Sequence, residues 1–98
     1  NIINNFSTLA IGANYSNRCI VMGNKSMDAG IDGYGMRWSD SSNMLIVGNF
    51  MEGGADGYAF IAENVNNYLI TDNLANGRTK PNFDGSPVGA QNISNWKI

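Results

Sequence analysis

The apolar residues of this chain come in short runs, and no long amphipathic period connects them. Two of the clearest are Met44-Leu45-Ile46-Val47 and Tyr68-Leu69-Ile70. Each follows an asparagine and runs out into a polar turn, Gly48-Asn49 in one case and Asp72-Asn73 in the other. Short apolar runs bounded by glycine and asparagine predict β-strands joined by tight turns, not helices. An earlier copy, Cys19-Ile20-Val21-Met22-Gly23-Asn24, has the same form, and Ile2-Ile3-Asn4-Asn5 reads as the tail of one more.

These runs recur at a fixed period, 25 residues from Asn24 to Asn49 and 24 from Asn49 to Asn73. Upstream of them, Asp32-Gly33-Tyr34, Asp56-Gly57-Tyr58 and Asp84-Gly85-Ser86 precede Asn43, Asn67 and Asn95 by eleven residues each. A period of this length, holding two or three short strands, matches one coil of a parallel β-helix. Propeller blades are longer, and leucine-rich repeats need leucines at consensus offsets that are missing here. The expected fold is therefore all-β, a right-handed parallel β-helix of about four coils.

Successive side chains of a strand point to opposite faces, so the repeat also predicts inside and outside. With Ile46 inward, Met44 is inward and Leu45 and Val47 are outward. Val21, Ile70, Cys19 and Tyr68 stack on the inward set, and Met36, Trp38, Phe60 and Ala62 form the inward set of the preceding strand. Asn5, Asn24, Asn49 and Asn73 fall at one turn position, where an asparagine ladder satisfies turn amides and performs no chemistry. Outward, Ile20, Leu45 and Leu69 form one row and Met22, Val47 and Thr71 a second, with Phe50 and Leu74 nearby. That is too apolar for a solvated face and predicts an interface.

The pattern Gly-Met-Arg-Trp-Ser-Asp-Ser-Ser-Asn-Met-Leu-Ile-Val-Gly-Asn, residues 35 to 49, resembles the coil of the pectate-lyase-like superfamily. That superfamily includes phage tailspikes, pectinases, alginate-modifying enzymes and periplasmic copper-site maturation proteins, and the resemblance extends over nearly the whole chain. It implies the β-helical body of a tailspike-like protein that binds a cell-surface polysaccharide, at the virion surface or outside the cell, as a homotrimer. Whether the parent protein also degrades the glycan stays open. A secreted polysaccharide lyase or epimerase is the alternative, and a shaft fragment without a site is a third reading.

Composition narrows the partners. A net charge of −2, with six basic residues scattered along 98, offers no footprint for nucleic acid. Cys19 is the only cysteine and there is no histidine, so an internal disulfide, a zinc cluster and a histidine-based triad are excluded within this chain. No apolar run is long enough for a membrane-spanning helix. A coil contacts only its neighbours, and neither end offers an evident cap, so residues 1 to 98 are expected to be one partial domain, covered by the remainder of a parent chain or a cleaved partner.

Two carboxylates across a sugar bond could hydrolyse it, and Asp32 and Asp56 occupy equivalent places on adjacent coils, with Asp84 extending the row. Asp-Gly is also a favoured turn pair, which gives these aspartates a plain structural role. Lyase chemistry needs a cation against the substrate carboxylate and a base. Arg37 is the candidate cation, with Glu63 and Asp40 near the following turn. The lyase reading would call for calcium, whereas the leading reading requires no cofactor and no metal. Tyr34 and Tyr58 could line a sugar groove, although alternation puts them on the face of Met36 and Phe60, at the rim of the core. Residues 73 to 84 read as an irregular insertion, and its Arg78 and Lys80, with Pro81, are the expected ligand contacts.

Overall fold

The computed structural model describes residues 1 to 85 and the backbone of 91 to 96. Among them are nine strands: β1 (Ile2–Asn4), β2 (Leu9–Asn14), β3 (Ile20–Met22), β4 (Lys25–Met27), β5 (Tyr34–Val47), β6 (Phe50–Glu52), β7 (Tyr58–Asn76), β8 (Arg78–Phe83) and β9 (Gln91–Trp96). All pairings between them are parallel. They form three stacks. The first holds β1, β4, β6 and the last residues of β7 and β9. The second holds β2, the front of β5, the front of β7 and β8. The third holds β3, the back of β5 and the middle of β7. The chain is a parallel β-solenoid.

The inward sets are as expected. Met36, Trp38, Met44, Ile46, Phe60, Ala62, Tyr68 and Ile70 are buried in one core, and Cys19 is partly buried against it. Trp38 lies in register between Ala13 and Ala62, so two small residues make room for the largest ring in the core. Each fully buried aliphatic or phenyl side chain contributes about 1.5–3 kcal/mol. Strict alternation fails where Gly35 and Met36 are both buried, and so are Ala59 and Phe60; Ser39 and Ile61 are outward by alternation but covered as well. A Cβ on Gly35 would lie 2.6 Å from the Ala59 oxygen and 2.8 Å from the Glu52 oxygen, so Gly35 and Ala59 fill a corner where two stacks meet.

Corners are made by residues with positive φ, stacked coil on coil. Tyr15, Asp40 and Asn64 form one line, Arg18, Asn43 and Asn67 a second, and Gly23, Gly48 and Asp72 a third. Asn, Asp and Gly reach this region at least cost, which is why they crowd the sequence. At Gly48, φ is 64° and a Cβ would meet nothing within 4 Å, so conformation alone favours glycine there.

The asparagine ladder is present, with one member changed. The Asn49 Oδ1 accepts from the backbone N–H of Asn24 at 2.9 Å and from its Nδ2 at 3.1 Å. The Asn73 Oδ1 accepts in the same way from Asn49, at 2.9 Å for both donors. Asn49 Nδ2 also donates to Val21 O at 3.0 Å, and Asn73 Nδ2 to Ile46 O at 2.9 Å. At the lower end the partner is Asn1, whose Nδ2 donates to Asn24 Oδ1 at 3.2 Å. Asn5 is not in the ladder: Ile2 pairs with Lys25, which carries Asn5 past the ladder to an exposed corner with φ 65°.

The coil count and the last repeat also differ from expectation. About three turns separate Asn1, Asn24, Asn49 and Asn73, rather than four. Asn95 pairs with Ala75, not Asn67, and Tyr58 takes Arg78 as its partner, while Ser86 lies outside the described residues. The cause is the corner between the first and second stacks. Residues 28 to 33 fill it between Met27 and Tyr34, residues 53 to 57 between Glu52 and Tyr58, and Gly77 alone between Asn76 and Arg78. What reads as an insertion after Asn73 is a shortened corner followed by strand β8.

Replacing Asn49 by Ala strands the buried backbone N–H and Nδ2 of Asn24 and takes a donor from Val21 O and Asn73 Oδ1, and is expected to cost about 3 kcal/mol in urea unfolding. The Asn5→Ala variant should lose only about 1 kcal/mol, from its corner conformation. Equal losses would contradict the assignment of Asn49 to the ladder and Asn5 to the corner.

Candidate functional site

The eight candidate residues all come to the second stack or to the corner that leads into it. Tyr34 and Tyr58 sit at the entry of this stack, half-buried, with ring centroids 6.3 Å apart and planes tilted by 51°. Arg78 follows in register with Tyr58, its guanidinium 4.4 Å from the Tyr58 ring centroid. Further along the strands, Gly12, Arg37, Ile61 and Lys80 form one row, and Asn14, Ser39, Glu63 and Asn82 the next outward row. Arg37 and Lys80 are exposed, while Ile61 between them is covered.

Glu63 and Lys80 approach to 3.9 Å with both side chains partly exposed. Such a pair is screened by water and worth less than about 1 kcal/mol, so both groups stay available to a ligand. Arg37 has no ion pair or side-chain hydrogen bond among the described residues. Asp40 does not serve it: the Asp40 carboxylate lies on the corner line and accepts from Asn64 Nδ2 at 3.0 Å.

Asp32 and Asp56 are exposed on the stacked corner segments, 28 to 33 and 53 to 57. The segments are joined by backbone bonds, Gly54 N–H to Gly33 O at 2.9 Å and Asp56 N–H to Ile31 O at 2.8 Å. A Cβ on Gly54 would fall 1.8 Å from Gly30 O, so the close stacking requires glycine. Asp84 does not extend this row. It follows β8, where its N–H donates to Val65 O at 2.9 Å, a whole strand away from the corner. Arg78 and Lys80 likewise stand on a strand and not on an inserted loop.

Two roles escaped sequence reasoning. Glu52 accepts from the N–H groups of Asp28 at 2.6 Å and Ala29 at 3.4 Å, and from Asn76 Nδ2 at 3.3 Å, so it ties three coils together at the corner. Arg78 holds backbone carbonyls of the corner below it. Neither role has a local motif, because the partners lie between 21 and 24 residues away.

The third stack carries the outward apolar rows in the expected register, Ile20 with Leu45 and Leu69, Met22 with Val47 and Thr71. Ile20 is 70% exposed and Met22 58%. Asn43, Met44, Leu45, Asn67 and Leu69 line a shallow, largely apolar depression of about 300 Å³ on this side. Among the described residues no group of three acidic, His or Cys side chains could hold a metal, and no helix is long and apolar enough to cross a membrane.

No family model, curated protein or solved structure matches the chain, so the fold and the placement of these side chains are what a functional reading has to rest on.

Glu52 and Glu63 give a contrast that separates a structural carboxylate from an available one. Glu52→Gln removes a charged acceptor from two backbone donors and should cost about 1.5 kcal/mol in thermal unfolding. Glu63→Gln should change stability by less than about 0.5 kcal/mol.

Proposed function

We propose that this chain is part of the β-helical body of a tailspike-like protein, kin to the pectate-lyase-like superfamily, that binds a cell-surface polysaccharide along its second stack. The observation that carries the reading is the gathering of Tyr34, Tyr58, Arg37, Lys80, Glu63, Asp32 and Asp56 on one side of a stiff scaffold. A glycan chain laid parallel to the solenoid axis would pass the phenol rims of Tyr34 and Tyr58 and the cations of the neighbouring row. Arg37 and Lys80 stand two coils apart in one row, about 9.6 Å at ordinary strand spacing. That suits a polymer with hydroxyl or acidic groups recurring along its length.

Binding is better supported than cleavage. Asp32 and Asp56 are exposed on corner segments, without the apolar enclosure that surrounds a general acid in glycosidic cleavage. The Arg37 and Glu63 pair of the lyase reading stands in rows two residues apart along the strand, with Arg37 exposed. Depolymerisation, as hydrolase or lyase, is therefore assigned to the parent protein, with these residues as its candidates.

The outward apolar rows of the third stack favour a second element of the reading, side-by-side packing as a homotrimer. In that arrangement Ile20, Met22, Leu45 and Leu69 leave water, and the second stack of each copy faces outward to the glycan. The location is the virion surface or the extracellular medium. A shaft without a binding site is the competing reading, and glycan binding by the parent protein decides between them.

On a glycan array, the double change Arg37→Ala with Lys80→Ala should weaken binding about fivefold or more and flatten its salt dependence. Asp32→Asn with Asp56→Asn should leave binding in place. Unchanged binding and salt dependence in the Arg37 and Lys80 variant would remove the second stack from the recognition surface. Leu45→Lys should lower the particle mass in sedimentation to that of a single copy, and an intact oligomer would refute the packing proposal.

A further inference from the structure

The geometry assigns Arg78 to closing the open end of a stack of corner segments, and so to positioning Tyr58 and Asp56 rather than to touching a ligand. Corner segments are joined upward from coil to coil by backbone bonds. Gly30 N–H donates to Phe6 O at 2.7 Å, and Gly54 and Asp56 N–H donate to Gly33 O and Ile31 O. Each segment therefore offers its carbonyls to donors in the segment above. Among the described residues no such segment lies above residues 53 to 57, because the next coil spends only Gly77 on this corner.

Arg78 supplies the missing donors. Its Nε donates to Gly57 O at 3.2 Å and its Nη2 to Asp56 O. The planar guanidinium has several donors in a fixed fork, so one side chain can serve two successive carbonyls while lying over the Tyr58 ring. Parallel pairing of Arg78 with Tyr58 puts it at this place without a dedicated loop. A lysine would bring one compact charge on a flexible stem and could not span both carbonyls in a fixed geometry.

The arrangement restricts how Tyr58 can be used. The guanidinium lies over one face of its ring, with the Tyr34 ring 6.3 Å away and tilted by 51°. That face is closed to a ligand. The consequence for the ligand rests on the glycan reading proposed above, but the cap itself does not.

The test is amide hydrogen exchange on the full chain, comparing wild type with Arg78→Lys and Arg78→Met. Both variants should loosen the uncapped corner segment, so that the Asp56 and Gly57 amides, whose own bonds run to Ile31 O and Gly54 O, exchange about tenfold faster by local opening, with the Asn24 and Asn49 ladder amides unchanged. Glycan affinity, read in parallel, should fall in both variants to a similar degree. Rescue of affinity by lysine with unchanged exchange at Asp56 and Gly57 would make Arg78 a ligand contact and overturn the inference. Faster exchange throughout the solenoid would also overturn it, since Arg78 would then support the fold as a whole. The exchange result needs no glycan, so it stands or falls separately from the proposed function.

Discussion

Everything in this molecule depends on one constraint: each coil must offer the next the same cross-section, in register, so that backbone groups pair along the axis. The asparagine ladder enforces this where the chain turns from the third stack to the first. One Asn oxygen accepts both the main-chain and side-chain donors of the Asn on the neighbouring coil, while its own amide returns to a strand carbonyl. A buried turn would otherwise leave amides unpaired, at a cost comparable to a lost hydrogen bond for each. The ladder converts that cost into a register mark, because a slip of one residue would remove the asparagine from every storey.

With the register held there, variation is pushed to the corner between the first and second stacks. Its segments run from a single glycine to residues 28 to 33, and they carry Asp32, Asp56 and the contacts of Glu52 and Arg78. The second stack beside it presents a mixed polar and aromatic surface, while the third presents apolar rows. The solenoid thus separates its residues by face: an apolar interior, a polar and aromatic surface, and an outward apolar surface.

Much of this was legible in the sequence, for a physical reason. Inward residues such as Met44, Ile46, Phe60 and Ile70 sit on strands whose side chains alternate, and the ladder asparagines recur at nearly constant spacing. The fold, the core and the outward rows followed from those two periods. Counting failed where the period is not enforced. Asp84 and Asn95 repeat the Asp-Gly spacing of the earlier copies, yet the shortened corner at Gly77 places them elsewhere. Asn5 looks like a ladder member from its strand but lies beyond the turn, and Asn1 takes its place. Gly35 and Ala59 break alternation because a corner has to be filled. The roles of Glu52 and Arg78 were hidden because their partners are a whole coil away.

The most direct measurement is disulfide trapping of the coil register, in a Cys19→Ser background, with cysteine pairs introduced at Leu45 and Leu69 and at Leu45 and Ile70. Leu45 and Leu69 are register partners on the same outward face, within the Cα separation a disulfide tolerates, whereas Ile70 points inward. The account predicts efficient oxidation of the Leu45 and Leu69 pair and little of the other. Equal trapping of both pairs, or preference for Leu45 with Ile70, would contradict the stacked register on which the solenoid, the ladder and the placement of the site all rest.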